Sequence, residues 1–141
     1  MPSGTITRRL FRTTFILLLS SFLLLYSCGT KRKKIRRLQN FDSIAWIEDR
    51  KGCRGDRLAM KDNLLKQKFR MRGLKSGQII DILGKPDAEE LHSRNQKYYI
   101  YFVEPGPDCN EAVDGALSLY VRFTAVGIAN EITLRRFGGN P

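Results

Sequence analysis

Apolar and polar positions change their spacing twice along this chain. Residues 15–25 form a nearly continuous apolar run, Phe15-Ile16-Leu17-Leu18-Leu19, two serines, then Phe22-Leu23-Leu24-Leu25. Beyond residue 40 the spacing becomes helical. Asn40-Phe41-Asp42-Ser43 supplies helix-start residues, and Ile44 to Ile47 follows as a short helical turn, interrupted by Lys51-Gly52 and Gly55. Asp56 precedes a helical stretch from Arg57 to Phe69, in which Leu58, Leu65 and Phe69 make a partial stripe. Gly73 ends it. Ser76 is the expected cap of a second, better marked helix with Ile79, Ile80, Ile82 and Leu83 as apolar positions. Gly84 and Pro86 stop that helix.

From there the spacing is that of strands. Lys97–Val103 is rich in aromatic and β-branched residues, and Pro105-Gly106-Pro107 breaks it. Ala116–Phe123 alternates, with Leu117, Leu119, Val121 and Phe123 expected inward and Ser118, Tyr120 and Arg122 outward. Gly127 makes a turn, and Ile128–Phe137 gives a third strand. The polar run Glu89–Asn95, which contains His92, reads as a hairpin loop. The expected class is α+β, two helices packed on a three-stranded antiparallel meander.

Charge clarifies the apolar run. Arg8, Arg9 and Arg12 precede it, and no acidic residue comes before Asp42. This is the order of an export leader, and about a dozen apolar residues fall short of the roughly 20 of a permanent span. Leu25-Tyr26-Ser27-Cys28 resembles a lipobox, the processing signal of bacterial lipoproteins. It implies a signal peptide over 1–27 and covalent lipid on Cys28. Two or more acyl chains there give stable anchoring. The alternative is an uncleaved anchor in which Cys28 is incidental. Thr7–Phe11 also resembles a twin-arginine signal, but the leucine-rich core favours the general secretory route.

The net charge of +11, from 25 Lys and Arg against 14 Asp and Glu, would ordinarily suggest nucleic acid. Its distribution argues against that partner. Three of the 25 lie in the leader, and six form the block Lys31, Arg32, Lys33, Lys34, Arg36 and Arg37. The remaining 16 nearly balance all 14 acids. Residues 28–40 therefore read as a lipidated basic tether suited to anionic headgroups, and 41–141 as one small domain. With Cys28 lipidated, Cys53 and Cys109 are left as a pair. In an exported chain a pair suggests a disulfide, worth about 4 kcal/mol by loop-closure entropy; two buried free thiols are the alternative. The cysteines and His92 show no metal-ligand spacing.

The ordered set Leu74-x-x-Gly77, Ile80, Leu83-Gly84-Lys85-Pro86-Asp87, a tyrosine-rich strand, Val121-x-Phe123 and Gly127 is similar to the SmpA/OmlA, or BamE-like, lipoproteins. The likeness covers about Gly73 to Phe137. Trp46-x-x-Asp49-x-x-Gly52-Cys53 followed by Arg57 resembles, more loosely, an N-terminal extension of relatives of the Bacteroidetes type. The resemblance implies an outer-membrane lipoprotein on the periplasmic face, working with the β-barrel assembly machinery or in envelope integrity. Gly29 lacks an acidic retention signal, which mildly favours the outer membrane. The cysteine pair, the longer N-terminal helix and the long Glu104–Gly115 loop depart from the enterobacterial members and leave the specific partner open. A periplasm-facing binding or inhibitor module with the architecture of β-lactamase inhibitors is the alternative. Those proteins tend to carry tandem domains, where this chain has one.

No catalytic set is expected. His92 has no sequence partner for acid–base work, Glu89 and Glu90 are adjacent rather than opposed, and no cofactor beyond the lipid is implied. Tyr98, Tyr99, Tyr101 and Tyr120 are candidate contact residues, since tyrosine combines an apolar ring with a hydroxyl that water can satisfy. Packing beneath the helices is the competing role. Trp46 reads as a core anchor of the first helix.

Overall fold

The computed structural model describes residues 38–92 and 95–138. The leader, the lipobox with Cys28 and the basic tether to Arg37 lie outside them, as do Ser93, Arg94 and the last three residues. Short helices come first: α1 (Ser43–Glu48), a 3-10 turn (Arg50–Gly52), α2 (Asp56–Lys66), α3 (Lys68–Met71) and α4 (Ser76–Leu83). Four strands follow: β1 (Ala88–His92), β2 (Gln96–Phe102), β3 (Leu117–Phe123) and β4 (Ala129–Arg136), antiparallel in the order β1-β2-β3-β4.

The α+β class and the meander hold; the counts do not, for four α-helices and four strands stand where two and three are expected. The run Glu89–Asn95, expected as a loop, supplies β1, which pairs Ala88 with Ile100 through His92 with Gln96. Its inconspicuousness has a physical reason. β1 is an edge strand with no β-branched residue, and its Leu91 is 91 % exposed. No burial alternation marks it, and its backbone bonds to β2 hold it in place. Charged residues such as Glu89 and Glu90 also suit an edge that must not pair further.

The stretch expected as one helix over 57–69 breaks at Gln67, whose φ and ψ of −107° and 7° separate α2 from α3. The break turns Met71 into the core while Phe69 stays 64 % exposed. Asp42 caps α1, its carboxylate accepting from the Ile44 and Ala45 amides at 3.0 Å. Ser76 is not the cap of α4. Lys75 holds that position in extended conformation, and the Gln78 side chain accepts its amide at 3.0 Å. Gly84 does end α4 at positive φ, and a Cβ there would stand 2.9 Å from Ile47.

The helices cover one face of the sheet. Trp46, Leu64, Met71, Leu74, Ile79, Ile82 and Leu83 meet Tyr99, Tyr101, Val103, Leu119, Val121, Phe123 and Ile132 in one core. Leu38, expected in the tether, is 7 % exposed and belongs to this core, so the folded unit starts before residue 41. Asn130 is the extra residue of a bulge where the β3–β4 register shifts between Arg122 and Phe123. Its carbonyl accepts from Arg72 Nε at 3.0 Å and its side-chain oxygen from Arg122 Nε at 3.3 Å, so the bulge ties α3 to the sheet.

Candidate functional site

The most heavily bonded place in the described residues is a buried charge cluster between the helical layer and the end of β2. The 3-10 turn and α2 bring Asp49 and Arg57 inward; the turn after Pro86 brings Asp87. Arg57 is 1 % exposed and Asp49 fully buried. The Arg57 guanidinium donates to Asp87 Oδ2 at 2.5 Å, to the Phe102 carbonyl at 3.0 Å and, through Nε, to the Trp46 carbonyl at 2.9 Å. It stacks 5.3 Å from the Trp46 ring and 6.0 Å from that of Tyr101. Asp87 also accepts the amides of Phe102 at 2.9 Å and Lys51 at 3.2 Å. Asp49 accepts the amides of Arg54 at 2.6 Å and Arg57 at 2.8 Å.

Every charge in the cluster therefore has a partner, which is what makes its burial tolerable. The Trp46, Asp49, Gly52 and Arg57 positions of the sequence motif converge here, with the Asp87 that follows Leu-Gly-x-Pro. Their joint role is to fasten helices to sheet. Gly52 marks how close the layers come: at φ +71°, a Cβ would lie 2.7 Å from the Glu104 carbonyl oxygen.

Cys53 and Cys109 form a disulfide, with Cα atoms 5.4 Å apart. It staples the long loop after β2 to the 3-10 turn, where the Gly106 amide also donates to the Lys51 carbonyl at 2.9 Å. Glu104 closes the other side of the loop, accepting from the Leu117 amide at 2.9 Å and from Arg136 at 2.5 Å.

The four candidate tyrosines divide between the two faces of the sheet. Tyr99 and Tyr101 pack under the helices, 4 % and 0 % exposed. Tyr99 stands edge-on to Phe123 at 4.6 Å, and the Tyr101 hydroxyl donates to the Gly84 carbonyl at 3.0 Å. Burial raises the Tyr101 hydroxyl pKa well above its ordinary value, with Tyr99 and Asp87 adding to the rise. Tyr98 and Tyr120 lie on the other face, edge to face at 5.9 Å. Arg135 stacks over both, 5.0 and 4.2 Å from their rings. The Tyr120 hydroxyl is also raised, first by burial and then by Glu90. Tyr99 and Tyr101 are thus core residues, and Tyr120, at 5 %, presents little surface; only Tyr98 is half-buried. Trp46 is a core anchor as expected, fully buried and 5.5 Å from the Phe41 ring.

Open grooves mark the described surface. One, of about 490 Å³, lies between α1 and α4 and is lined by Leu38, Phe41, Asp42, Ile44 and Asp81. Another lies between α3 and β4, with Lys68, Arg72, Arg122 and Glu131 in its walls. Among the described residues no three His, Cys, Asp or Glu side chains are placed to hold a metal ion. The chain matches no family, no curated protein and no solved structure.

Sequence reasoning missed the Arg57–Asp87 pair. The signal was present: Arg57 opens a helix beside a tryptophan motif, and Asp87 follows a helix-stopping proline. Nothing in the spacing says that two residues 30 apart meet.

Proposed function

We propose that this chain is a non-enzymatic lipoprotein of the bacterial envelope, held through lipid on Cys28 and acting as a small scaffold of BamE-like type in β-barrel assembly or envelope integrity. The observation that carries the reading is the Cys53–Cys109 bond in a chain that opens with an export leader and a lipobox. A stable structural disulfide belongs to an oxidising compartment, and export delivers the chain to one. The buried ion cluster and the stapled loop make a rigid body, which suits a protein that works by contact. The basic block 31–37 would add headgroup attraction beside the anchor.

The test is intact mass and membrane fractionation of the native protein beside Cys28→Ala. Acyl mass on Cys28 and an outer-membrane location, both lost in the variant, support the reading; an unmodified Cys28 with the leader retained overturns it. Crosslinking in the host then decides the partner, and recovery of barrel-assembly proteins is the expected result.

A further inference from the structure

The ten residues Lys66–Lys75 hold five cations, Lys66, Lys68, Arg70, Arg72 and Lys75, and no acid. Four of the five side chains are exposed and Arg70 is half-buried. None takes part in an ion pair among the described residues. In their midst Phe69 is 64 % exposed, with the Arg70 guanidinium 6.0 Å from its ring. An outward aromatic ring in a run of cations has the composition of an interfacial membrane contact, in which the ring enters the headgroup–acyl boundary and the cations meet lipid phosphate.

A second observation sets where the tether enters the domain. The Gln67 side chain clasps the start of the folded unit. Its Oε1 accepts the Gln39 amide at 2.6 Å and its Nε2 donates to the Gln39 carbonyl at 2.7 Å. Asn63 donates to the Asn40 carbonyl at 2.5 Å. The chain leading from Cys28 therefore joins the domain beside the patch, between Lys66 and Lys68. From Cys28 to Gln39 is 11 residues, no more than about 40 Å when fully extended.

We infer that the Lys66–Lys75 segment is the membrane-facing pole of the domain, docking on an anionic phospholipid surface with Phe69 inserted at the interface. The inference rests on the lipid-anchor reading for its geometry and adds what that reading leaves open, namely which side of the domain meets the bilayer. The far edge of the sheet, with Leu91, then points away from the membrane.

The test uses the full lipidated chain in vesicles of phosphatidylcholine, with or without about one third phosphatidylglycerol, and a brominated lipid as quencher. Trp46 is fully buried and supplies the background signal. Phe69→Trp is compared with Leu91→Trp. Strong quenching of Trp at 69, weak quenching at 91 and dependence on the anionic lipid are the expected results. Lys66→Gln, Lys68→Gln and Arg70→Gln together should weaken the contact by about 100-fold, roughly fivefold per charge. Equal quenching at the two positions, or quenching indifferent to the charge removal, overturns the inference. So does an unquenched Trp at 69, which leaves the patch for an acidic protein. Vesicle retention is scored separately. A chain that fails to stay with the vesicles fails the anchor reading, whereas a retained chain with Trp at 69 in water fails only this one.

Discussion

Replacing Asp87 by asparagine changes the Arg57 cluster with little change of volume, so the cost reports charge and hydrogen bonding. Arg57 would keep the Trp46 and Phe102 carbonyls but lose its counter-charge at 1 % exposure. Removing one partner of a buried pair costs about 3–5 kcal/mol. The new amide also sets a donor where Arg57 and the Phe102 amide now both donate to Oδ2. A domain of this size has about 5–15 kcal/mol in total, and each kcal/mol moves its midpoint by about 4–8 °C, so a fall of at least about 12 °C is expected. Arg57→Met should cost about as much, because it leaves Asp87 buried without its cation. The double variant should cost no more than either single one, giving a coupling energy of about 3 kcal/mol or more. Urea unfolding of the four proteins in detergent, with the disulfide intact, measures this directly. Single variants costing under about 1 kcal/mol, or costs that simply add, would refute the picture of one interdependent cluster.

Other expectations follow from the same packing. Cys53→Ser with Cys109→Ser should lower stability by about 2–5 kcal/mol, and reductant should bring the wild type to the same thermal midpoint. Gly52→Ala should destabilise by about 2 kcal/mol or more, because the added Cβ meets the Glu104 backbone at a left-handed φ; circular-dichroism melting checks it. Tyr101, whose hydroxyl pKa is raised by burial, should be the last tyrosine to ionise in an ultraviolet titration. Its folded pKa lies above the unfolded value, so its contribution to stability is complete below about pH 10 and is lost as the pH rises beyond that. Tyr101→Phe should flatten the alkaline fall in midpoint.

The parts of the fold legible in the sequence are those whose burial leaves a period. α4 has apolar spacing and a Gly-x-Pro stop, and the sequence of β3 alternates, so the bounds of both are legible nearly to the residue; the outward side of β3 is not, because Ser118 and Tyr120 are buried at 0 % and 5 %. β1 is not legible because an edge strand with Leu91 in solvent buries nothing to mark it. Nor is the break at Gln67, because Gln67 is bound to the Gln39 backbone, a contact with no local signature. The cysteine pairing is legible from the count of cysteines in a chain expected to be exported, and the structure forms it. Of the candidate tyrosines, two went to the core because β2 alternates aromatic residues on both faces, so composition alone could not tell inward from outward.

The sheet joins each strand to its neighbour in sequence, whereas the charge cluster and the disulfide reach across 30 to 56 residues. Local hairpins close fast and distant loops close late. The expected order is that the meander pairs before the helical layer docks on it, with the cystine sealed only when Cys53 has arrived with its turn. Until then the face bearing Tyr101, Val103 and Val121 stands open to water. That interval is when the newborn chain is most exposed to aggregation. Arg57 is part of its remedy, because the one side chain that reaches Trp46, Asp87 and Phe102 together draws the last layer down onto the sheet.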